Sequence, residues 1–216
     1  MSPAFATFRL RAGLAFGALL CLWLPATTAR AGEVSAAGLV FSDAEGGFVL
    51  ESATGTGRLD DPFVVVERIT GSGEAALTIE GLTAAFGNRI DTAHLTGFAL
   101  TKIVRNGTNQ AWRDFPVELE RQRGEGSTYD DGLSFAQGPQ VTRSIWAEGF
   151  ASGRVVDEPH DGIVFQDGTI PPGGSVTLHL VVTDNMPAGP IYLVQRRLAP
   201  TASLVPPGRH PRARRS

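Results

Sequence analysis

The chain has 216 residues, of which 42% are hydrophobic and 19% are charged, and its formal net charge at pH 7 is −3. This composition is typical of a globular protein with enough apolar residues for a core. Residues 32–200 contain 12 basic and 22 acidic residues, and this balance argues against nucleic acid as their main partner, because proteins bind its phosphates with clustered lysines and arginines. The four arginines of residues 209–215 could contact anionic lipid, polysaccharide or nucleic acid, although chance charge in a disordered terminus also explains them. The sequence also lacks heptads, helical repeats and nucleotide-binding loops.

The first 31 residues have the pattern of a secretory signal peptide. Arg9 and Arg11 provide a positive start, residues 12–24 form an apolar run, and a small-x-small sequence typical of cleavage sites ends at Ala31. The apolar run is shorter than the roughly 20 residues that span a bilayer. We therefore expect cleavage near Ala31, a secreted or periplasmic location, and a mature chain without a transmembrane segment.

Cleavage there would change the chemistry and the charge of the chain. It would remove Cys21, the only cysteine, and with it any disulfide or thiolate metal ligand. It would also remove three arginines and no acidic residue, which lowers the net charge to −6. The acidic body that remains suits solubility outside the cell or cation binding. The chain has a single lysine, Lys102, which we attribute to a bias in base composition.

Short runs of alternating apolar and polar residues, separated by Gly, Pro, Asn and Asp, follow one another through the rest of the chain. The predicted strands are Leu39–Phe41, Phe48–Glu51, Pro62–Ile69, Ala75–Leu82, Gly97–Arg105, Trp112–Arg121, Ser144–Phe150, Ile163–Phe165, Val176–Asp184 and Ile191–Gln195. The short Gly-containing loop at residues 71–74 predicts that the strands on either side of it form a hairpin.

This pattern predicts one all-β domain over residues 32–198, an antiparallel Ig-like or Greek-key β-sandwich of about nine strands. The strand after Pro172 has the clearest alternation: four apolar residues from Val176 to Val182 share the face predicted to be buried, and His179 lies on the other face. Residues 199–216 are rich in Pro and Arg and are predicted to be disordered.

Four segments have a familiar order. They are residues 104–108 (VRNGT) followed by 112–119 (WRDFPVEL), residues 131–135 (DGLSF), residues 158–165 (EPHDGIVF), and Pro172-Gly173 leading to residues 192–195 (YLVQ). In this order they resemble the Ig-like β-sandwich of bacterial secreted proteins that often carry a PEP-CTERM sorting tail. The resemblance covers about half of the mature chain and implies an exported, non-catalytic surface or matrix protein. The chain lacks the Pro-Glu-Pro signal and apolar segment of such a tail.

Two acidic turns form the candidate metal site. Asp130 and Asp131 lie in the first turn, and Asp157, Glu158 and Asp161 lie in the second. Ca²⁺ takes about six to eight oxygen ligands, which turns provide as carboxylates and carbonyls. The spacing does not fit an EF-hand, and acidic residues are also common in ordinary exposed turns. We therefore predict no cofactor, with Ca²⁺ as the alternative if the two turns meet in space.

Residues 123–140 form the longest irregular segment, and long loops often carry function. Tyr129, in this segment, is the best exposed aromatic candidate for contact with a carbohydrate. Trp112 and Trp146 lie in strands beside apolar residues and are predicted to belong to the core.

No catalytic residue is predicted. The sequence has no Gly-x-Ser-x-Gly motif, and the histidines are too far apart in sequence to suggest a zinc site. Glu118 and Glu120 have a spacing compatible with the paired carboxylates of glycosidases, but acidic residues on an outward strand face are common.

The sequence therefore predicts a secreted, non-catalytic binding or structural protein of the bacterial envelope or extracellular matrix. Its expected partners are extracellular polysaccharide or surface proteins. Two alternatives stay open. One is a secreted hydrolase with its site in residues 123–140, and the other is a calcium-dependent carbohydrate-binding module.

Overall fold

The computed structural model describes residues 32–136, 145–156 and 160–196, apart from the side chains of Tyr129 and Val156. These ranges contain fourteen strands and one 3₁₀ turn, Tyr129–Asp131. The strands are β1 Glu33–Ala36, β2 Leu39–Ser42, β3 Phe48–Thr54, β4 Phe63–Ile69, β5 Ala75–Glu80, β6 Thr96–Asn106, β7 Phe115–Gln122, β8 Glu125–Gly126, β9 Leu133–Phe135, β10 Trp146–Glu148, β11 Phe150–Val156, β12 Gly162–Gly168, β13 Ser175–Asp184 and β14 Ile191–Gln195. The predicted signal peptide and tail lie outside the described residues, as do Asp157 and Glu158.

The strands form two sheets that pack against each other. Sheet A has the order β1-β2-β5-β14-β7-β12-β11, with β8 beside β7. Sheet B has the order β10-β13-β6-β4-β3, with β9 also paired to β13. Every pairing is antiparallel except that of β4 with β6, which is parallel. The prediction of an all-β sandwich is therefore confirmed.

Alternation along each strand builds the core between the sheets. On β13, the four apolar side chains from Val176 to Val182 at alternate positions are at most 1% exposed, as predicted. Val181 breaks the alternation because its outward side chain is buried on the outer face of sheet B by Ile90, Ala99 and Ala136. The main core contains residues from both sheets, such as Phe41 from β2 and Phe63 from β4, whose rings meet edge to face.

Two details of the strand prediction are wrong. About nine strands is too few, because short strands such as Glu125–Gly126 and Leu133–Phe135 lie inside the segment that was predicted to be irregular. The expected hairpin is also absent: β4 belongs to sheet B and β5 belongs to sheet A. The largely exposed loop at residues 70–74 leads from one sheet to the other, where β4 pairs with β3 and β6 and β5 pairs with β2 and β14.

Among the described residues, no helix has the length and apolar character needed to span a membrane.

Candidate functional site

The outer face of sheet B presents an exposed tryptophan stacked on a histidine. Trp146 on the edge strand β10 pairs in register with His179 on β13. Their rings are nearly parallel, with 4.0 Å between centroids and an interplanar angle of 16°. Trp146 nevertheless remains 46% exposed. We call this pair, with its neighbours Leu59 and Thr101, the aromatic surface.

An open cavity of about 240 Å³ lies at the aromatic surface. It is lined by Leu59, Pro62, Ala99, Leu100, Thr101, Trp146, His179, Leu180 and Val181. This volume is below the roughly 300–1,000 Å³ of typical small-molecule pockets. The cavity would therefore hold one part of a larger ligand, while the rest of that ligand lies across the surface.

The polar groups of this surface surround His179. Its Nδ1 lies 3.3 Å from the hydroxyl of Thr101, and its Nε2 lies 3.8 Å from a carboxylate oxygen of Glu148. Partial burial lowers the pKa of His179, and the neighbouring Glu148 only partly opposes this effect. The imidazole is therefore neutral at pH 7, with one nitrogen that donates and one that accepts. The hydroxyl, imidazole and carboxylate therefore place both hydrogen-bond donors and hydrogen-bond acceptors at the edge of the aromatic pair.

Trp112 and Trp146 were both predicted to belong to the core, but the structure places them in different environments. Trp112 is buried in the core, with its ring centroid 5.5 Å from that of Phe115, so its prediction is confirmed. The prediction for Trp146 is wrong. Strand β10 has only three residues, and Ala147 at its centre is the one that faces inward. Alternation then places Trp146 and Glu148 outside.

The outer face of sheet A has a second cavity, of about 230 Å³. It is lined by Pro116, Val117, Glu118, His160, Gly162, Ile163, Val164 and Arg196. Arg196 donates to Glu118 at 2.5 Å, to Glu120 at 2.6 Å and to Glu74 at 2.9 Å. Arg123 also donates to Glu120. The two carboxylates considered as a glycosidase pair are thus engaged by arginines rather than directed at a substrate.

Some residues of the two acidic turns proposed to bind calcium lie close together. Both carboxylate oxygens of Asp131 accept from the hydroxyl of Ser127, at 2.7 and 2.8 Å, and the main-chain nitrogen of Asp161 donates to the carbonyl of Ser127 at 2.9 Å. Asp130 is exposed. Within the described ranges, no group of three or more His, Cys, Asp or Glu side chains is arranged to hold a metal ion. Since Asp157 and Glu158 lie outside those ranges, calcium binding stays a prediction.

Tyr129 opens the 3₁₀ turn between β8 and β9. Its backbone is described but its side chain is not, so its contact with carbohydrate stays a prediction. The segment around it is more ordered than expected, because Ser127 bridges the turn: its hydroxyl oxygen also lies 2.8 Å from the carbonyl oxygen of Leu133.

Comparison with known proteins assigns no family. A scan against protein-family models, a search of curated proteins and a search of solved structures each found no match. The function therefore has to be inferred from the residues of the chain itself.

Proposed function

We propose that this protein is a non-catalytic polysaccharide-binding protein of the bacterial envelope or extracellular matrix, and that it binds sugar at the aromatic surface. The observation that carries the proposal is the exposure of Trp146 on an otherwise well-packed sandwich. Large exposed aromatic groups that are held in place are typical of binding surfaces.

The chemistry of the surface suits a sugar. A pyranose ring has apolar C–H groups on its faces and hydroxyls around its edge. The free face of Trp146 would pack on the C–H groups, while Thr101, Glu148 and His179 offer hydrogen-bonding groups nearby. Because stacking on His179 already orients the indole, little side-chain entropy would be lost on binding.

The predicted location agrees with such a ligand. The N-terminal pattern predicts export, and the mature chain would contain no cysteine that oxidation outside the cytoplasm could affect.

The test is retention of the purified protein on polysaccharides. Affinity electrophoresis through soluble glucans, xylans and alginate, together with sedimentation with cellulose, chitin and peptidoglycan, would identify the polymer class. We expect Trp146→Ala to weaken binding at least about tenfold, which corresponds to roughly 1.4 kcal/mol. Trp146→Phe should retain part of the affinity because it keeps a flat apolar ring.

Met186→Ala is the matched control, because Met186 is also an exposed large apolar residue (53%) and does not line the cavity. It should bind like the unmodified protein. Unchanged melting of Trp146→Ala would show that the loss of binding is local. Undiminished binding by Trp146→Ala, or retention by none of the polymers, would contradict the proposal.

A calcium-dependent form of this function is tested by two melts. A ligand present at about 1,000 times its Kd stabilises the folded state by about 4 kcal/mol, so about 2 mM CaCl₂ would reveal a micromolar site. A melting temperature several degrees higher than in EDTA, with tighter polysaccharide binding, would favour the calcium-dependent module. Identical melts would exclude a tight calcium site.

A further inference from the structure

Three polar side chains from both sheets meet in the interior. Lys102 on β6 and Glu67 on β4 extend inward from sheet B, and Gln195 on β14 extends inward from sheet A. Lys102 and Glu67 are completely buried, and Gln195 is 3% exposed. The only lysine of the chain is therefore a core residue, and its position suggests a chemical role.

One carboxylate contacts both of the other groups. The Nζ of Lys102 lies 2.8 Å from one oxygen of Glu67, and the Nε2 of Gln195 donates to the other oxygen at 2.5 Å. The carbonyl oxygen of Gln195 accepts no hydrogen bond within the described ranges. An amine and a carboxamide thus contact the same carboxylate, and no described residue pairs with the amide carbonyl.

This arrangement is a costly way to stabilise a core. A buried ion pair gains little over apolar residues of similar size, because both charges lose their hydration. Burial lowers the pKa of Lys102, and the attraction of Glu67 only partly offsets this. A buried lysine that is easily deprotonated is a nucleophile, and buried ionisable groups with strongly perturbed protonation are candidates for chemistry.

We propose that the folded protein joins Lys102 to Gln195 through an intramolecular isopeptide bond, with Glu67 transferring the protons. The reaction is an aminolysis of the Gln195 carboxamide, and the linked side chains and one molecule of ammonia are its products. It needs no oxidant, cofactor or second substrate.

Lys102 gives a proton to Glu67, and the neutral Nζ attacks the side-chain carbonyl carbon of Gln195. Protonated Glu67 then donates its proton to the leaving Nε2 and accepts the proton that the attacking nitrogen loses, so that it ends as the neutral acid. The bond between that carbon and Nε2 breaks, ammonia leaves, and a secondary amide remains. The carboxylate is positioned for this shuttle because it already contacts both nitrogens.

The environment favours this reaction. The site excludes water that would compete as a nucleophile, and the ring of Phe48 lies 5.7 Å from the Nζ. The product has no ammonium group to bury. The bond would also connect sheet A to sheet B, which matters in a chain whose one cysteine, Cys21, lies in the predicted signal peptide.

The mass of the purified full chain tests the proposal directly. We expect a mass lower by one ammonia than the sequence between the determined termini requires. Trypsin does not cleave after an acylated lysine, so a digest of the unfolded protein should contain peptide 90–105 joined to peptide 155–196. Tandem mass spectrometry should place the link at Lys102 and Gln195.

Three variants test the roles of Lys102 and Glu67 in forming the bond. Lys102→Met removes the nucleophile and Glu67→Gln removes the proton carrier, so both should have the full mass. Gln166→Met, at an exposed glutamine on β12, is the control that should still lose ammonia. The measurement on the unmodified protein is decisive even if a core variant fails to fold. A full mass with free peptide 90–102, or an ammonia loss at any other position, would overturn the proposal.

Discussion

The two outer faces of the sandwich differ in how their functional groups are used. On sheet A, Arg196 bonds to three glutamates, and Glu120 also accepts from Arg123 and from the main-chain nitrogen of Gly124 at 2.8 Å. On sheet B, the ring of Trp146 stacks on one side and remains 46% exposed.

This difference separates a structural charge network from a binding surface. The charged groups on sheet A already pair with one another, so a ligand would have to break existing bonds before it could form new ones. The indole on sheet B loses only water when a ligand covers it. A cavity of similar size on each face therefore does not imply a similar capacity to bind.

The largest expected difference between the two faces is in the free energy of unfolding when a side chain is removed. Arg196→Ala leaves Glu120, whose side chain is fully buried, with fewer positive partners. Breaking a fully buried pair costs roughly 3–5 kcal/mol, and we expect about 2 kcal/mol here because Arg196 is itself partly exposed. Urea unfolding measures the loss.

Arg68→Ala is the control, because Arg68 pairs with Glu51 at an exposed position. An exposed pair contributes at most about 1 kcal/mol. Polysaccharide binding should be unchanged in both arginine variants. A loss of binding in Arg196→Ala without unfolding would move the site to sheet A.

A smaller effect is expected from a charge placed beside the aromatic surface. Leu59 lines the cavity and is 51% exposed, so Leu59→Asp should fold normally but place a hydrated carboxylate where the ligand packs. We expect binding to weaken by about threefold to tenfold, or up to about 1.4 kcal/mol. Leu95→Asp, at a leucine of similar exposure outside the cavity, should bind normally. Equal effects of the two variants would indicate non-specific charge repulsion instead.

The smallest expected effect is a pH dependence at the same surface. Because burial lowers the pKa of His179, its protonation should occur below the ordinary value of 6.5. As the pH falls, this histidine is protonated in the unfolded chain before it is protonated in the folded one. The contribution of neutral His179 to the free energy of unfolding therefore has its full value above pH 6.5 and decreases as the pH falls below 6.5.

The fluorescence of Trp146 measures this titration, because a protonated imidazole quenches a stacked indole. The change in emission should have its midpoint below pH 6.5 and should disappear in His179→Gln and in Trp146→Phe. A midpoint above pH 6.5 would mean that Glu148 outweighs burial.

The all-β sandwich could be predicted from the sequence because the alternation of apolar and polar residues along a strand shows directly which side chains are buried. The pattern from Val176 to Val182 identified the buried face of β13 without reference to other strands. Pairing was harder to predict. The loop after β4 had the composition of a hairpin, yet β4 pairs in parallel with β6, because partners are chosen by packing across the whole core.

Which face of a sheet a side chain occupies was hardest to predict in short strands, where the alternation covers only a few residues. In β10 the small Ala147 faces inward and the larger Trp146 faces outward, so hydrophobicity alone indicated the wrong face. Lys102 follows the inward phase of β6, between Leu100 and Val104, and that phase was visible in the sequence. A lysine at an inward position requires a buried acidic partner, and Glu67 at the inward phase of β4 was the available one.

The position of β14 affects how the protein is made. β14, the last strand among the described residues, lies in the middle of sheet A, paired to β5 on one side and β7 on the other. A growing chain that has not reached Ile191 therefore lacks the strand that joins the two halves of the sheet, and it exposes two open edges that favour aggregation. The sandwich cannot close before residues 191–195 have been synthesised, so a polypeptide stalled before β14 should be a target for chaperones and proteases.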